Sequence, residues 1–130
     1  MIARWIFLLM LLAAAPALAQ QNVRVPAGNV QLAAQLFKPA NAAGRIPAVA
    51  IFHGCGGPGQ NTARMAGLLA SWGYAALVVD SFSARGLKDI CGRNWPTQAD
   101  AESRAGDIDA ALAWLGKQPG IDPHRLAVMG

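Results

Sequence analysis

The densest set of chemistry-bearing residues lies in one short run, Phe52-His53-Gly54-Cys55-Gly56-Gly57-Pro58-Gly59. Four glycines and a proline fall within the six positions from Gly54 to Gly59, so regular structure cannot continue through them. Backbone without side chains leaves amide N–H groups bare, and a negatively charged atom can approach them closely. Directly before this loop, Ile46 to Phe52 is an apolar run rich in Val and Ile, the signature of a strand buried on both faces. Amide donors on a loop after a central strand suit an oxyanion hole, which meets the charge that develops on a carbonyl oxygen. The same residues also make a tight strand-to-helix turn with no chemistry. The run alone does not separate the two readings.

Other reactive side chains are few. His53 stands at the strand end before the bare amides, where it is expected to anchor the loop through side-chain hydrogen bonds rather than act as a base. Asp80 ends a second apolar run and is expected to cap the loop that follows, although ligands bind on that side of parallel sheets. His124 falls in a proline-containing turn and is expected to be exposed. Cys55 and Cys91 are the only cysteines. Two sulfurs without a nearby histidine pair do not make a metal site, and no Cys-x-x-Cys suggests redox chemistry. No cofactor is expected.

The elements that must position these groups read as follows. Asn22–Pro26 and Val30–Lys38 form a hairpin about Ala27-Gly28-Asn29. The strand at Ile46–Phe52 and the glycine loop follow. A helix capped by Asn61 or Thr62 runs to Ser71 or Trp72, with Met65, Leu68, Leu69 and Trp72 as its apolar face, and Gly73 stops it. Tyr74–Val79 is a second buried strand, so strand, helix and strand make a right-handed parallel crossover. The chain is irregular from Ser81 to Pro96. Gln98–Lys117 is a second helix with Ala101, Ala105, Ile108, Leu112 and Leu115 inward and the charged residues, Asp100 and Arg104 among them, on a solvated face. Ile121–His124 is a turn, and Arg125–Met129 begins a third buried strand. The fold class is α/β, with a parallel centre and an antiparallel edge.

The N-terminus leads to the expectation of an exported protein, periplasmic or secreted. Arg4, the apolar run Ile6–Ala15 and the small-x-small triplet Ala17-Leu18-Ala19 read as an export signal cut before Gln20. The apolar core is shorter than the ~20 residues that span a bilayer, so no stable membrane anchor is expected after cleavage. Removing Arg4 takes the net charge from +4 to +3. The remaining basic residues are scattered without aromatic interleaving, which excludes a nucleic-acid face. In an oxidising compartment a lone cysteine pair, each on a loop after a predicted parallel strand, is expected to form the Cys55–Cys91 disulfide.

Three landmarks in order and spacing resemble the α/β-hydrolase fold and, within it, the dienelactone hydrolase family. They are Phe52-His53-Gly54-Cys55-Gly56-Gly57; then Val79-Asp80-Ser81-Phe82-Ser83-Ala84-Arg85-Gly86 with Cys91-Gly92 behind it; and Asp122-Pro123-His124-Arg125-Leu126-Ala127-Val128-Met129-Gly130. The resemblance implies an N-terminal hairpin plus parallel strands with crossover helices, residues 20–130 forming the N-terminal part of the domain after a signal peptide at 1–19. It implies that the Cys55 N–H is the first oxyanion donor and that the second follows the nucleophile, with Gly56 the lesser alternative as in esterases with His-Gly-Gly-Gly loops. Ala84-Arg85 resembles the family pair whose arginine binds a substrate carboxylate, with one extra residue after Asp80; on its own, Arg85 reads as an exposed loop arginine. Gly130 matches the first glycine of the nucleophile elbow, Gly-x-Ser-x-Gly or Gly-x-Cys-x-Gly. Nucleophile, acid and histidine come after that point in the family, so no catalytic triad residue is expected within these 130 residues, which alone should hydrolyse nothing. The function implied is the N-terminal portion of an exported hydrolase of small-molecule esters or lactones. The alternative is a noncatalytic truncated fragment or interaction module, and an apolar edge strand at Leu126–Met129 argues for fragment over module.

Overall fold

The computed structural model describes residues 18–92 and 98–130. Residues 1–17, which carry nearly all of the expected export signal, lie outside them, as does the breaker Pro96. Strand β1 (Ala19–Ala27) pairs antiparallel with β2 (Val30–Lys38) around the two-residue turn Gly28-Asn29. The first strand is longer than Asn22–Pro26 because pairing continues outward to Ala19 opposite Lys38. Strand β3 (Ile46–Phe52), helix α1 (Gln60–Ser71) and strand β4 (Ala75–Asp80) make the first crossover. A 3-10 turn at Ser83–Arg85, helix α2 (Gln98–Gly116) and strand β5 (Ile121–Met129) complete the described fold. The strand order is β1-β2-β4-β3-β5, with β3 parallel to both β4 and β5, and β2 antiparallel to β4.

Alternation along the central strands splits the core into two layers. Ala50, Phe52, Leu77 and Val79 face Ala111 and Leu115 of α2. Val49, Ile51, Ala76 and Val78 face Ala66 and Ala70 of α1. Both faces of β3 and β4 are therefore covered, which is why these strands read as continuous apolar runs.

The helix faces differ from the sequence expectation. Helix α1 buries Ala66 and Ala70, while Met65 (37% exposed), Leu68 (42%) and Trp72 (63%) stand in solvent. Only Leu69 of the expected face packs inward, partly buried. Alanines let the helix backbone lie close to the Val/Ile surface, and a search for large apolar residues overlooks such a face. Helix α2 is turned likewise: Ala101 and Ala105 are exposed, Leu112 is half-buried, and Asp107, Ala111 and Leu115 are buried. Its expected solvated face fails at Arg104 and Asp107, which point to the core side for electrostatic reasons given below.

Local signals behave as chemistry requires. The α1 cap falls two to three residues earlier than expected, at Gly59, and the Thr62 hydroxyl reaches back to accept the Gly59 N–H (3.2 Å). Gly73 adopts φ +91, and the Gly73 and Tyr74 N–H groups close onto Ala70 and Leu69 carbonyls, a Schellman ending. The expected turn at Ile121–His124 appears as a register break within β5: Ile121 pairs with Ile46, and the next pair is Leu126 with Ala48. His124 is exposed there. Strand β5 lies at the sheet edge, so Ala127, Val128 and Met129 are exposed rather than buried as expected.

Candidate active site

Strand β3 delivers His53 to the carboxyl edge of the sheet, where the ring is buried (4% exposed). Its Nδ1 lies 2.8 Å from the Gly54 carbonyl oxygen, and its Nε2 accepts the Ser81 N–H at 3.1 Å. Since a backbone N–H only donates and a carbonyl only accepts, the ring must carry its proton on Nδ1. Burial is the main cause holding its pKa below the ordinary 6.5, and the Arg104 charge pushes the same way against the Gly54 hydrogen bond. His53 is thus a neutral tie between the loop after β3 and the end of β4, as its place in the sequence suggested.

The glycine loop begins with a tight turn in which the Gly57 N–H donates to the Gly54 carbonyl (3.2 Å), with Cys55 and Gly56 at its centre. Gly57 has no substitute here. Its φ is +83, and a Cβ would sit 2.8 Å from the Lys88 carbonyl oxygen. The N–H groups of Gly54, Cys55 and Gly56 meet no acceptor among the described residues, and all three residues are exposed. A cleft of about 420 Å³ separates this loop from the first turn of α1 at Gln60, Asn61 and Thr62. A second cleft of about 640 Å³ continues from Gly59 toward Arg24 and Gln35 on the hairpin.

Two ties hold the loop from the other side. Cys55 and Cys91 form a disulfide, with Cα atoms 4.9 Å apart, and the Ile90 N–H donates to the Cys55 carbonyl at 2.9 Å. The bare amides therefore sit on a loop stitched to the segment after β4. Asp80 caps that segment. Burial would raise its carboxyl pKa, but donation from the Ser83 hydroxyl and from the Ser83 and Phe82 N–H groups outweighs it, holding the group below the ordinary value.

Arg85 lies on the 3-10 turn after β4 and does not stand free. Its two terminal nitrogens grip both carboxylate oxygens of Asp107 at 2.9 and 2.8 Å, and one of them also donates to the Ser81 carbonyl at 2.7 Å. Asp107 is 1% exposed and the Arg85 side chain 25%. The bidentate pair raises the guanidinium pKa further. Arg104, from the same face of α2, donates to the His53 carbonyl and lies 5.6 Å from the Phe82 ring centre. Sequence reasoning assigned neither α2 residue a role. The signal was present, since Arg104, Asp107, Ile108, Ala111 and Leu115 follow helical spacing and place two charges on the buried stripe. Among the described residues no cluster of three His, Cys, Asp or Glu side chains could hold a metal.

The three landmarks now stand on neighbouring strands of one sheet, with the loops after β3 and β4 and the end of β5 at its carboxyl edge. The model of the dienelactone hydrolase family matches residues 32–130. The chain belongs to the dienelactone hydrolase family. Among solved structures it is similar to m3DLH, with 28% identity and a TM-score of 0.69 over 86% of this chain and 48% of that one. The dienelactone hydrolase from Anabaena variabilis gives 26% identity and a TM-score of 0.61, covering 85% and 50%. A dienelactone-hydrolase-like promiscuous phosphotriesterase, P91, from metagenomic libraries, shares the fold with a TM-score of 0.73 at 22% identity, covering 86% and 48%. Among curated proteins, none matches the sequence. The chain spans about half the length of these solved structures. In dienelactone hydrolase terms, the mixed five-stranded sheet is the family's α/β-hydrolase-like scaffold.

Proposed function

We propose that residues 20–130 form the N-terminal half of an exported hydrolase that cleaves an ester or lactone bond in a small molecule. The observation that carries the reading is the exposed Cys55 N–H on the loop after β3, which meets no acceptor among the described residues, in a chain of this family. The nucleophile, supplied by residues beyond Gly130, attacks the carbonyl carbon. The electron pair moves onto the carbonyl oxygen, and the Cys55 N–H donates to it there, with the Gly56 N–H as its neighbour on the turn. A donor of this kind is worth about 10²–10³ in rate, roughly 3–4 kcal/mol.

Arg85 belongs to the same proposal as the group that meets a substrate carboxylate. It does so while bound to Asp107 and the Ser81 carbonyl, so it offers only the donors that those three hydrogen bonds leave. Export fits the disulfide, and no helix among the described residues is long and apolar enough to cross a membrane.

The test reads the gene past Gly130 and assays the protein it encodes on p-nitrophenyl acetate and on simple lactones. An in-frame x-Ser/Cys-x-Gly together with turnover is the expected result. A stop codon directly after Gly130 would favour the noncatalytic alternative, and an intact elbow without any turnover would refute the reading.

A further inference from the structure

We infer that Arg104 is a positioning residue for oxyanion stabilisation, locking the peptide planes that aim the Cys55 N–H outward; this rests on the hydrolase reading above. A trans peptide holds its C=O and the following N–H on opposite sides of one plane, and the described chain has no cis bond. Fixing a carbonyl therefore fixes the direction of the next N–H. The Gly54 carbonyl is held twice, by His53 Nδ1–H at 2.8 Å and by the Gly57 N–H at 3.2 Å. That sends the Cys55 N–H away from the His53 ring and out of the turn. The peptide just before it joins His53 to Gly54, and its carbonyl is held by Arg104.

Gly54 is what makes the second lock necessary. With no Cβ, rotation about its φ and ψ is cheap, and a flipped Gly54-Cys55 plane would put a carbonyl oxygen where the donor belongs. Arg104 also steadies the ring that holds the first lock. His53 meets Phe82 edge-on at 4.4 Å between ring centres, and the Arg104 guanidinium lies over the same Phe82 ring. One side chain of α2 thereby holds both the His53 carbonyl and the aromatic support of the His53 ring. The charged groups around that ring are Arg104 and Asp107 on α2 and Asp80 at the end of β4.

The test compares Arg104→Met, which keeps an apolar stem against Phe82, with Arg104→Lys, which keeps a donor and the charge. Two measurements are made: NMR of the His53 ring and the Cys55 amide in the full chain, and steady-state kinetics of the hydrolase. Arg104→Met should shift the Cys55 amide resonance and raise the His53 pKa, because a neighbouring positive charge is gone. It should lower kcat roughly tenfold to hundredfold, short of the 10²–10³ for losing a donor outright, with KM nearly unchanged because the oxyanion forms only in the transition state. Arg104→Lys should recover most of each. If Arg104→Met does not fold, Arg104→Gln should show the same raised His53 pKa with a smaller amide shift. A folded variant without the Arg104 charge that leaves the Cys55 amide unmoved, or a loss confined to KM, overturns the inference. Absence of any turnover in the unsubstituted protein would instead sink the hydrolase reading, and the NMR comparison would still decide what Arg104 does.

Discussion

The Cys55–Cys91 disulfide joins half-cystines 36 residues apart, and its removal has a calculable cost. For a closed loop of that length the chain-entropy relation gives about 4 kcal/mol at 25 °C, acting mainly through the unfolded state. Set against roughly 5–15 kcal/mol for an ordinary domain, that is a large share. The clean perturbation is Cys55→Ala with Cys91→Ala, which leaves no lone thiol and keeps the Ile90 N–H to Cys55 carbonyl bond available. Urea unfolding followed by tryptophan fluorescence should show a midpoint lower by roughly 2 M at an m-value of about 2 kcal/mol/M. The m-value should rise slightly, because an unbridged unfolded chain exposes more surface. Dithiothreitol should produce the same loss in the unsubstituted protein and none in the double variant. A loss below about 1 kcal/mol would refute the entropic account. Two free thiols per chain, counted in denatured non-reduced protein from the export compartment, would refute the bridge itself.

The other predictions concern the ties around the loop. Gly57→Ala should cost about 1–2 kcal/mol from its left-handed backbone alone, and more once the Cβ meets the Lys88 carbonyl; thermal unfolding within error of the parent would contradict this. Arg85→Ala should cost about 3–5 kcal/mol, more than Asp107→Ala, since it strands a carboxylate that is 1% exposed; the reverse order in denaturant titrations would show that the pair is not buried as described. The double variant Arg85→Met/Asp107→Leu should stay folded and lose kcat/KM on carboxylate-bearing lactones far more than on neutral esters, whereas equal losses would confine Arg85 to its partner. Because the His53 pKa is depressed below 6.5 in the fold, its contribution is intact above that value and shrinks as pH falls toward the folded-state pKa, where only the unfolded chain has taken up the proton. Stability should therefore rise with pH across that window, separately from the carboxylates Asp80 and Asp122, which titrate below 3.8; His53→Gln should flatten that slope.

Local chemistry was legible in the sequence because each signal depends on a few neighbouring residues. The hairpin turn, the apolar runs of β3 and β4, the Gly73 stop and the glycine loop are written in residue types whose backbone preferences act over one turn or one strand. The place of the loop at the carboxyl edge follows from the strand-helix-strand order. His53 as an anchor and Asp80 as a cap were readable for the same reason, since each bonds backbone within the segments it joins. What the sequence could not set was rotation. Whether Met65 and Trp72 or Ala66 and Ala70 face the sheet depends on how closely α1 can approach a surface made by residues far along the chain. Arg104 and Asp107 look like solvated helix charges until α2 is docked. Only then do the His53 carbonyl and the Arg85 guanidinium lie within reach, 51 and 22 residues away in sequence. A buried charge is stable only with a partner at hydrogen-bonding distance, so tertiary contact, and not local pattern, decided that α2 is part of the site.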